Sequence, residues 1–324
     1  MSFLGGGSDY PTYFNEQPGA VLGTAVSLYV FVALIQQNPL VDKQYKLTYR
    51  QSEAVDHPSE LQHPVVRAVL QDQEWTGPGL HIATLADVPA NTGLGSSSSF
   101  TVALLHALAL FQGRTVTAET LARDAVRIER EVLNEAGGWQ DQFHAAYGGT
   151  ALYEFEQSGV VRRPLSTTAL TDGLDRSMVL VPTGQPRSSH AHATSTTTAI
   201  RTRQGASVAS EMANLARETY NSLRECDDPS FAIRTLAKSM DSAWHLKKAL
   251  MGEAINEDAD ELISAGIRNG ALAGRLCGAG GSGFVLFLTE IDDREAFIER
   301  SGLTQGTLIN VSDAGSCHGP MEWM

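Results

Sequence analysis

Pro89-Ala90-Asn91-Thr92-Gly93-Leu94-Gly95-Ser96-Ser97-Ser98-Ser99-Phe100 lies between a strand-like run, His81 to Val88, and an apolar helical run, Thr101 to Phe111. Two glycines let the backbone turn tightly and approach a ligand with no Cβ in the way. The serines that follow stand where a helix would begin, and Ser is a good N-cap. The first turn of such a helix carries unpaired N–H groups backed by the positive end of the helix dipole, so an anion is expected there, a phosphate above all. A plain Ser-capped helix after a glycine turn is the bland alternative. Gly-Leu-Gly, four serines and the leading Pro89 together favour phosphate. No Gly-Lys-Ser/Thr follows the glycines, so this is not a Walker A loop and it lacks a lysine of its own. Cationic charge has to come from elsewhere.

The chain around this loop has 324 residues, which suits two domains better than one core. Hydrophobic content of 42% with charged content of 19% belongs to a folded protein. A net charge of −13 argues against nucleic acid and anionic lipid as partners and requires a local basic cluster for any anionic substrate. The three cysteines, Cys226, Cys277 and Cys317, are far apart and form no metal-type pair, so reduced thiols in a cytoplasm are expected. No secretory signal is visible at the start, and the longest apolar stretch, Val102 to Phe111, is too short to span a bilayer.

Along the chain, Val21 to Ile35 reads as one or two buried strands and Tyr45 to Arg50 as another. Pro58 to Asp72 reads as a helix. Thr117 to Glu135 is expected to be a strongly amphipathic helix, capped by Thr117 and stopped at Gly137-Gly138. A strand follows at Thr150 to Phe155, and a break between domains is expected near Ser166 to Asp175. After it come a strand, Ser177 to Pro182, and a polar segment, Arg187 to Thr198, read as a loop or lid. Helices are expected over Gly205 to Arg224, Ser230 to Leu250 and Asp258 to Asn269. The end reads as a helix, a glycine-rich loop, a strand at Phe284 to Leu288, a helix at Arg294 to Arg300 and a strand at Gly306 to Val311. Strands and helices mix without a regular βαβ rhythm, so the fold class is α+β in two domains.

Three further constellations carry chemistry. In Gly137-Gly138-Trp139-Gln140-Asp141-Gln142-Phe143-His144, Asp141 is placed just past a helix C-terminus, where it can orient a hydroxyl or accept its proton; a turn aspartate is the alternative. Leu276-Cys277-Gly278-Ala279-Gly280-Gly281-Ser282-Gly283 contains G-x-G-x-x-G, but a helix is expected before it and a strand after it. That is the wrong context for a dinucleotide fold, and a tight loop packed on a ligand or another loop fits better. Gly5-Gly6-Gly7-Ser8-Asp9-Tyr10 brings backbone close to something and offers a carboxylate suited to sugar hydroxyls, or else forms an Asx turn. Two weaker clusters are Arg187-Ser188-Ser189 with His190 and His192, and Trp244-His245-Leu246-Lys247-Lys248, the latter most simply a solvated helix face. His-x-His alone makes no zinc site.

In this order and spacing, the segments resemble the three motifs of the GHMP small-molecule kinases: Gly5 to Tyr10 the first, Pro89 to Ser98 the second, Gly278 to Gly283 the third. The resemblance spans nearly the whole chain. It implies a two-domain fold, an N-terminal ribosomal-protein-like α/β domain over residues 1–170 and a C-terminal ferredoxin-like α+β domain over 171–324. The sugar-1-kinase branch fits best. Gly-Gly-Gly-Ser-Asp-Tyr, Gly-Trp-Gln-Asp-Gln-Phe, Thr183-Gly184 before Arg187-Ser188, Trp244 with Lys247-Lys248, and Gly270-Ala271 leading into Gly274-Arg275-Leu276 are similar to members acting on D-glycero-D-manno-heptose 7-phosphate.

The resemblance implies an ATP-dependent kinase forming a sugar 1-phosphate for GDP-heptose and surface-polysaccharide synthesis. Asp141 would be catalytic. Pro89, Gly93, Leu94, Gly95, Ser96, Ser97, Ser98, Gly278, Gly280 and Gly281 would meet the ATP phosphates. Ser97 and Glu129 would hold Mg²⁺, with Glu131 as the alternative carboxylate. Gly7, Ser8, Asp9, Tyr10, Gly138 and Arg187 would meet the sugar, with Arg187, Lys247 and Lys248 as candidates for its phosphate. Small molecules are the implied partners, and a homodimer stays open. Family members usually carry an Arg upstream of the position of Ser2 that faces the catalytic aspartate, so one is expected before Met1. The rival acceptors are fucose, mannose or galactose, and the non-enzyme rival is a sugar- and ATP-binding regulator.

Overall fold

The computed structural model describes residues 1–89, 92–184, 189–251, 257–278 and 283–318. Strand β1 (Ser2–Leu4) leads through the first glycine segment into a short helix, α1 (Pro11–Phe14), and β2 (Gly19–Thr24). Then come β3 (Val30–Gln36), β4 (Tyr45–Thr48), β5 (Ser52–Val55), α2 (Pro64–Asp72) and β6 (Leu80–Ala86). Helix α3 (Ser96–Phe111) follows the Gly-Leu-Gly turn, and α4 (Ala118–Arg127) is continued by a π-helical turn, Ile128–Val132. Helix α5 (Gln140–Tyr147), β7 (Thr150–Glu156) and β8 (Gly159–Pro164) complete this half.

The second half holds α6 (Thr168–Asp175), β9 (Met178–Pro182), α7 (Ser189–Ile200), α8 (Arg203–Leu223), α9 (Pro229–Met251) and α10 (Glu257–Arg268). The chain then runs through β10 (Ala273–Leu276), β11 (Phe284–Leu288), α11 (Arg294–Ser301) and β12 (Thr307–Leu308).

Three four-stranded sheets result, in the orders β1-β2-β7-β8, β3-β6-β4-β5 and β10-β11-β9-β12. The first and third are antiparallel throughout; in the second, β4 runs parallel to β6. Helices cover these sheets, and two large apolar cores form. One joins α2, α3, α4 and α5 around Leu104, Val69 and Phe143. The other seats β1 and β2 against α8, α9 and the third sheet through Phe3, Leu22, Leu236 and Leu286. Burial on this scale, at about 25 cal/mol per Å² of apolar surface, fixes how the halves meet.

Several elements follow their local chemistry. Thr117 caps α4, its Oγ1 accepting from Thr120 N at 3.1 Å. The Val21 to Ile35 run resolves into two strands, β2 fully buried and β3 partly exposed. Other expectations are corrected. Pro58 to Asp72 is a 3₁₀ turn, Pro58–Glu60, and then α2, because Pro64 disfavours helical backbone in the residue before it and restarts the helix. The polar, turn-rich stretch Ser166 to Asp175 forms a helix, α6, capped by Thr167, whose Oγ1 accepts from Leu170 N, and a helix there leaves the expected domain division open. The segment read as a loop or lid is largely helical, as α7. Before the glycine loop at 278–283 stands a strand, β10, paired antiparallel with β11. The loop therefore joins two strands, and with no helix opening after it the dinucleotide fold stays excluded.

Candidate active site

The Gly93–Ser98 turn is held in place by backbone contact from the other half of the chain. Gly93 and Gly278 both have left-handed φ, +76° and +71°. A Cβ on Gly93 would lie 2.7 Å from the Cys277 carbonyl oxygen, and one on Gly278 would lie 2.5 Å from the Gly93 Cα. The third glycine segment thus packs directly on the second, and no side chain fits between them. Gly95, with φ +77°, precedes α3 and leaves the N–H groups of the first turn free of a side-chain cap.

Asp141 sits over this turn. Instead of following a helix C-terminus, it occupies the first turn of α5, because α4 and its π-helical continuation end at Val132 and residues 133–139 form the connection. A Cβ on Gly95 would lie 3.2 Å from Asp141 Cγ, so the carboxylate rests against the glycine that opens α3.

The first glycine segment fastens α5. Asp9, completely buried, accepts from Gly7 N at 2.9 Å and from Gln140 N at 3.1 Å. Burial pushes its carboxyl above the ordinary range, while these two N–H groups pull the other way. A Cβ on Gly138 would fall 1.8 Å from Asp9 Oδ2, so glycine is the only residue that lets this carboxylate reach the helix. Tyr10 is buried and shares a hydrogen bond with Thr196 of α7, and burial holds its phenol well above the usual range.

Glu129, in the π-helical turn, is also buried. It accepts from Gln142 Nε2 at 2.6 Å, Thr101 Oγ1 at 2.8 Å and Ser98 Oγ at 3.0 Å. Burial raises its carboxyl; Arg130, 3.6 Å away, and the three donors lower it. Arg130 itself donates to the Gly138 carbonyl at 2.9 Å, bracing the loop before Asp141.

These groups line one cavity of about 250 Å³. Its wall includes Gly7, Asp9, Tyr10, Gly93, Gly95, Ser96, Ser97, Ser98, Glu129, Gly138, Asp141 and Gly278 from the expected set. Ser8 is not on it; its hydroxyl is engaged with the Gly5 and Ala20 backbone, pinning the first glycine turn to β2. Pro89 is exposed and Leu94 faces an apolar hollow beside α3. Glu131 is exposed and off the wall. Of the serines, Ser98 touches Glu129, while Ser97 is exposed toward the cavity. Arg187, Gly280 and Gly281 lie outside the described residues.

The helix face read as solvated splits in two. Lys247 is buried on the cavity wall, whereas Lys248 pairs with Asp260 at 3.0 Å, a carboxylate that also accepts a hydrogen bond from Trp244 Nε1. Arg130, Thr196 and Arg275 also line the cavity and carry no role in the sequence reading, where Arg275 stands only within Gly274-Arg275-Leu276. Arg275 carried the only available signal, a lone charge inside the apolar run Ala271 to Cys277.

For a divalent cation, the wall offers the buried carboxylate of Glu129, beside the first turn of α3, and serine hydroxyls. Among the described residues no group of three His, Cys, Asp or Glu side chains is arranged around a metal. Hard oxygen donors, few in number and next to an anion loop, suit Mg²⁺, which binds through one or two carboxylates and substrate phosphates. The residues fit such an ion.

Known proteins share this fold. The GHMP kinases N terminal domain matches residues 63–149, and the GHMP kinases C terminal domain matches residues 229–300. The D-glycero-alpha-D-manno-heptose 7-phosphate kinase of Campylobacter jejuni is 25% identical over 96% of this chain and 94% of its own length. The bifunctional fucokinase/GDP-fucose pyrophosphorylase of Arabidopsis thaliana is 27% identical over 90% of this chain, which spans only 29% of that protein. The crystal structure of a D-glycero-D-manno-heptose 1-phosphate kinase from Bacteroides thetaiotaomicron superposes with a TM-score of 0.75 at 24% identity, covering 97% of this chain and 94% of that one. Both domain signatures occur in order, around one loop-and-aspartate cavity, on a fold shared over nearly the whole length. The chain belongs to the GHMP kinase family and is a phosphotransferase.

Proposed function

We propose that this kinase transfers the γ-phosphoryl group of ATP to the anomeric hydroxyl of D-glycero-D-manno-heptose 7-phosphate, giving the 1,7-bisphosphate, a step that would feed GDP-heptose and surface-polysaccharide synthesis in a cytoplasm. The observation that carries the reaction type is the seat of Asp141 against Gly95, at the N-terminus of α3. An acid–base carboxylate and a phosphate cradle there share one small volume. The choice of heptose rests on the relative that aligns from end to end. The division at residues 170 and 171 belongs to the same reading, since β1 to β8 form two sheets and β9 to β12 the third.

In this mechanism the first-turn N–H groups of α3, with Ser96 and Ser97, hold the triphosphate. Asp9 braces α5 and offers its remaining lone pairs to sugar hydroxyls. Asp141 orients the acceptor hydroxyl and takes its proton as the oxygen attacks the γ-phosphorus. The bond from that phosphorus to the β–γ bridging oxygen breaks, ADP leaves with the electron pair, and no covalent enzyme intermediate forms. Glu129, with Ser97, would hold Mg²⁺, which supplies charge neutralisation on the phosphates. The aspartate and the cradle are set before substrate arrives, so positioning and electrostatics carry the rate.

A coupled ADP-release assay with heptose 7-phosphate, unphosphorylated heptose, fucose, mannose and galactose tests the reading. The expected result is a preference of at least about tenfold in kcat/KM for the phosphorylated heptose, or about 1.4 kcal/mol. Equal or better use of fucose would replace the heptose with a fucose-type acceptor.

A further inference from the structure

The anion loop has no lysine, yet the cavity it faces holds two deeply buried cations from the other half of the chain. Lys247 of α9 is 9% exposed and Arg275 of β10 is 6% exposed, and both line the wall with Gly93 and Asp141. Neither forms an ion pair with a carboxylate among the described residues. Lys247 Nζ donates to the Gly278 carbonyl at 2.6 Å, leaving two of its three protons unassigned. Arg275 donates through Nη1 to the Phe3 carbonyl, while its Nε is buried with no acceptor. Burying a charge without a partner is strongly unfavourable, and a second like charge nearby adds to that. Proteins leave such groups in place where a ligand of opposite charge completes them.

The position narrows the ligand. Lys247 holds the carbonyl of Gly278, the glycine packed on Gly93, so its ammonium stands at the rim of the phosphate turn. Asp9 is near enough to favour the ammonium charge, and burial together with Arg275 outweighs it. Thr92 Oγ1 and Gln140 Oε1, also on the wall, are buried without partners, as expected of a surface that a bound ligand finishes.

We propose that Lys247 and Arg275 form the cationic wall that grips the phosphoryl group in transfer, supplying from the C-terminal half the charge that the loop lacks. The pair stabilises the negative charge on the equatorial oxygens as the bond to ADP breaks and the bond to the acceptor forms, and it exchanges no proton or electron. The inference rests on the kinase reading of the same site.

The test uses the full chain as Lys247→Met, Arg275→Met and Lys247→Arg, assayed with heptose 7-phosphate and with the same heptose lacking its phosphate. Each Met variant is expected to lower kcat about a hundredfold or more on both acceptors, the usual loss for one charge-stabilising donor. Lys247→Arg is expected to recover at least about tenfold of the loss, since it keeps the charge. A second readout is thermal stabilisation by Mg·ADP with aluminium fluoride, which imitates the group in flight. The added shift over Mg·ADP alone should vanish in both Met variants. A raised KM for the phosphorylated heptose with kcat intact would overturn the proposal by assigning the pair to the acceptor's own phosphate. Unchanged kcat and an unchanged fluoride shift would also overturn it, as would a Met variant that only unfolds while Lys247→Arg stays inactive. Wild-type turnover is the control: its absence defeats the kinase reading, whereas equal turnover of wild type and variants defeats only the pair.

Discussion

On the N-terminal wall of the cavity four of the five charges are carboxylates, Arg130 being the fifth, and three of the four are tied down, Glu135 by Arg130 at 4.0 Å. Asp9 accepts two backbone N–H groups, and Glu129 accepts three side-chain donors. On the C-terminal wall the charges are cations, and they are under-satisfied: Lys247 has one carbonyl, and Arg275 has one carbonyl and a stranded Nε. The difference separates two jobs. The satisfied carboxylates are fixed in place before any ligand arrives, holding α5 and the π-helical turn so that Asp141 stays over Gly95 and keeping only their remaining lone pairs for ligand. The unsatisfied cations are held in readiness for an anion, because only ligand charge offsets their burial.

The largest expected effect comes from breaking the acidic wall at its free member. Asp141→Asn keeps size and removes the base, and should cut kcat at least about a hundredfold while leaving ATP-analogue affinity within about threefold of wild type. Single-turnover kinetics with calorimetric titration measure both, and near-normal turnover would remove Asp141 from the chemistry. The contact between the walls comes next. Gly278→Ala forces a Cβ into a left-handed residue 2.5 Å from the Gly93 Cα, and should destabilise by more than about 1 kcal/mol, read as a lowered urea midpoint. An unchanged midpoint would mean the two loops part easily.

The cationic wall has a signature in pH. Burial, with Arg275 nearby, pushes Lys247 down to about 7, against the opposing pull of Cys277 and Asp9. An unfolded lysine titrates near its ordinary value of about 10.4. Between those values the unfolded chain binds more protons than the folded one, so this group makes unliganded stability rise with pH from about 7 upward. Lys247→Met should flatten that limb of a pH–denaturation curve, and an unaltered slope would show that Lys247 is charged at no unusual cost. The smallest effect is expected one residue on. Lys248→Met removes a partly exposed pair with Asp260, and should cost no more than about 1 kcal/mol with kcat unchanged. A large loss of activity there would extend the cationic wall beyond the cavity.

What could be read in advance was local. The Gly-Leu-Gly turn with its serines, the Thr117 cap and the first glycine segment each follow from a few adjacent residues, and each has the conformation their chemistry favours. Where the reading failed, distant partners decided. Ala271 to Leu276 has helix-compatible residues, but pairing with β11 makes it a strand, since strand preference depends on neighbours more than on intrinsic backbone bias. Asp141 moved from the end of one helix to the start of the next because Asp9, 132 positions earlier, caps α5 through Gln140 N.

Sequence alone determined that an anion loop, a carboxylate segment and a second glycine loop exist in this chain, because glycine, serine and aspartate act through backbone geometry within a turn or two. Only the tertiary structure decided that the three meet. It also decided that Ser98 rather than Ser97 touches Glu129, and that of two adjacent lysines one enters the cavity and the other turns to Asp260. Successive helical residues point about 100° apart, and which direction is inward depends on what packs against the helix.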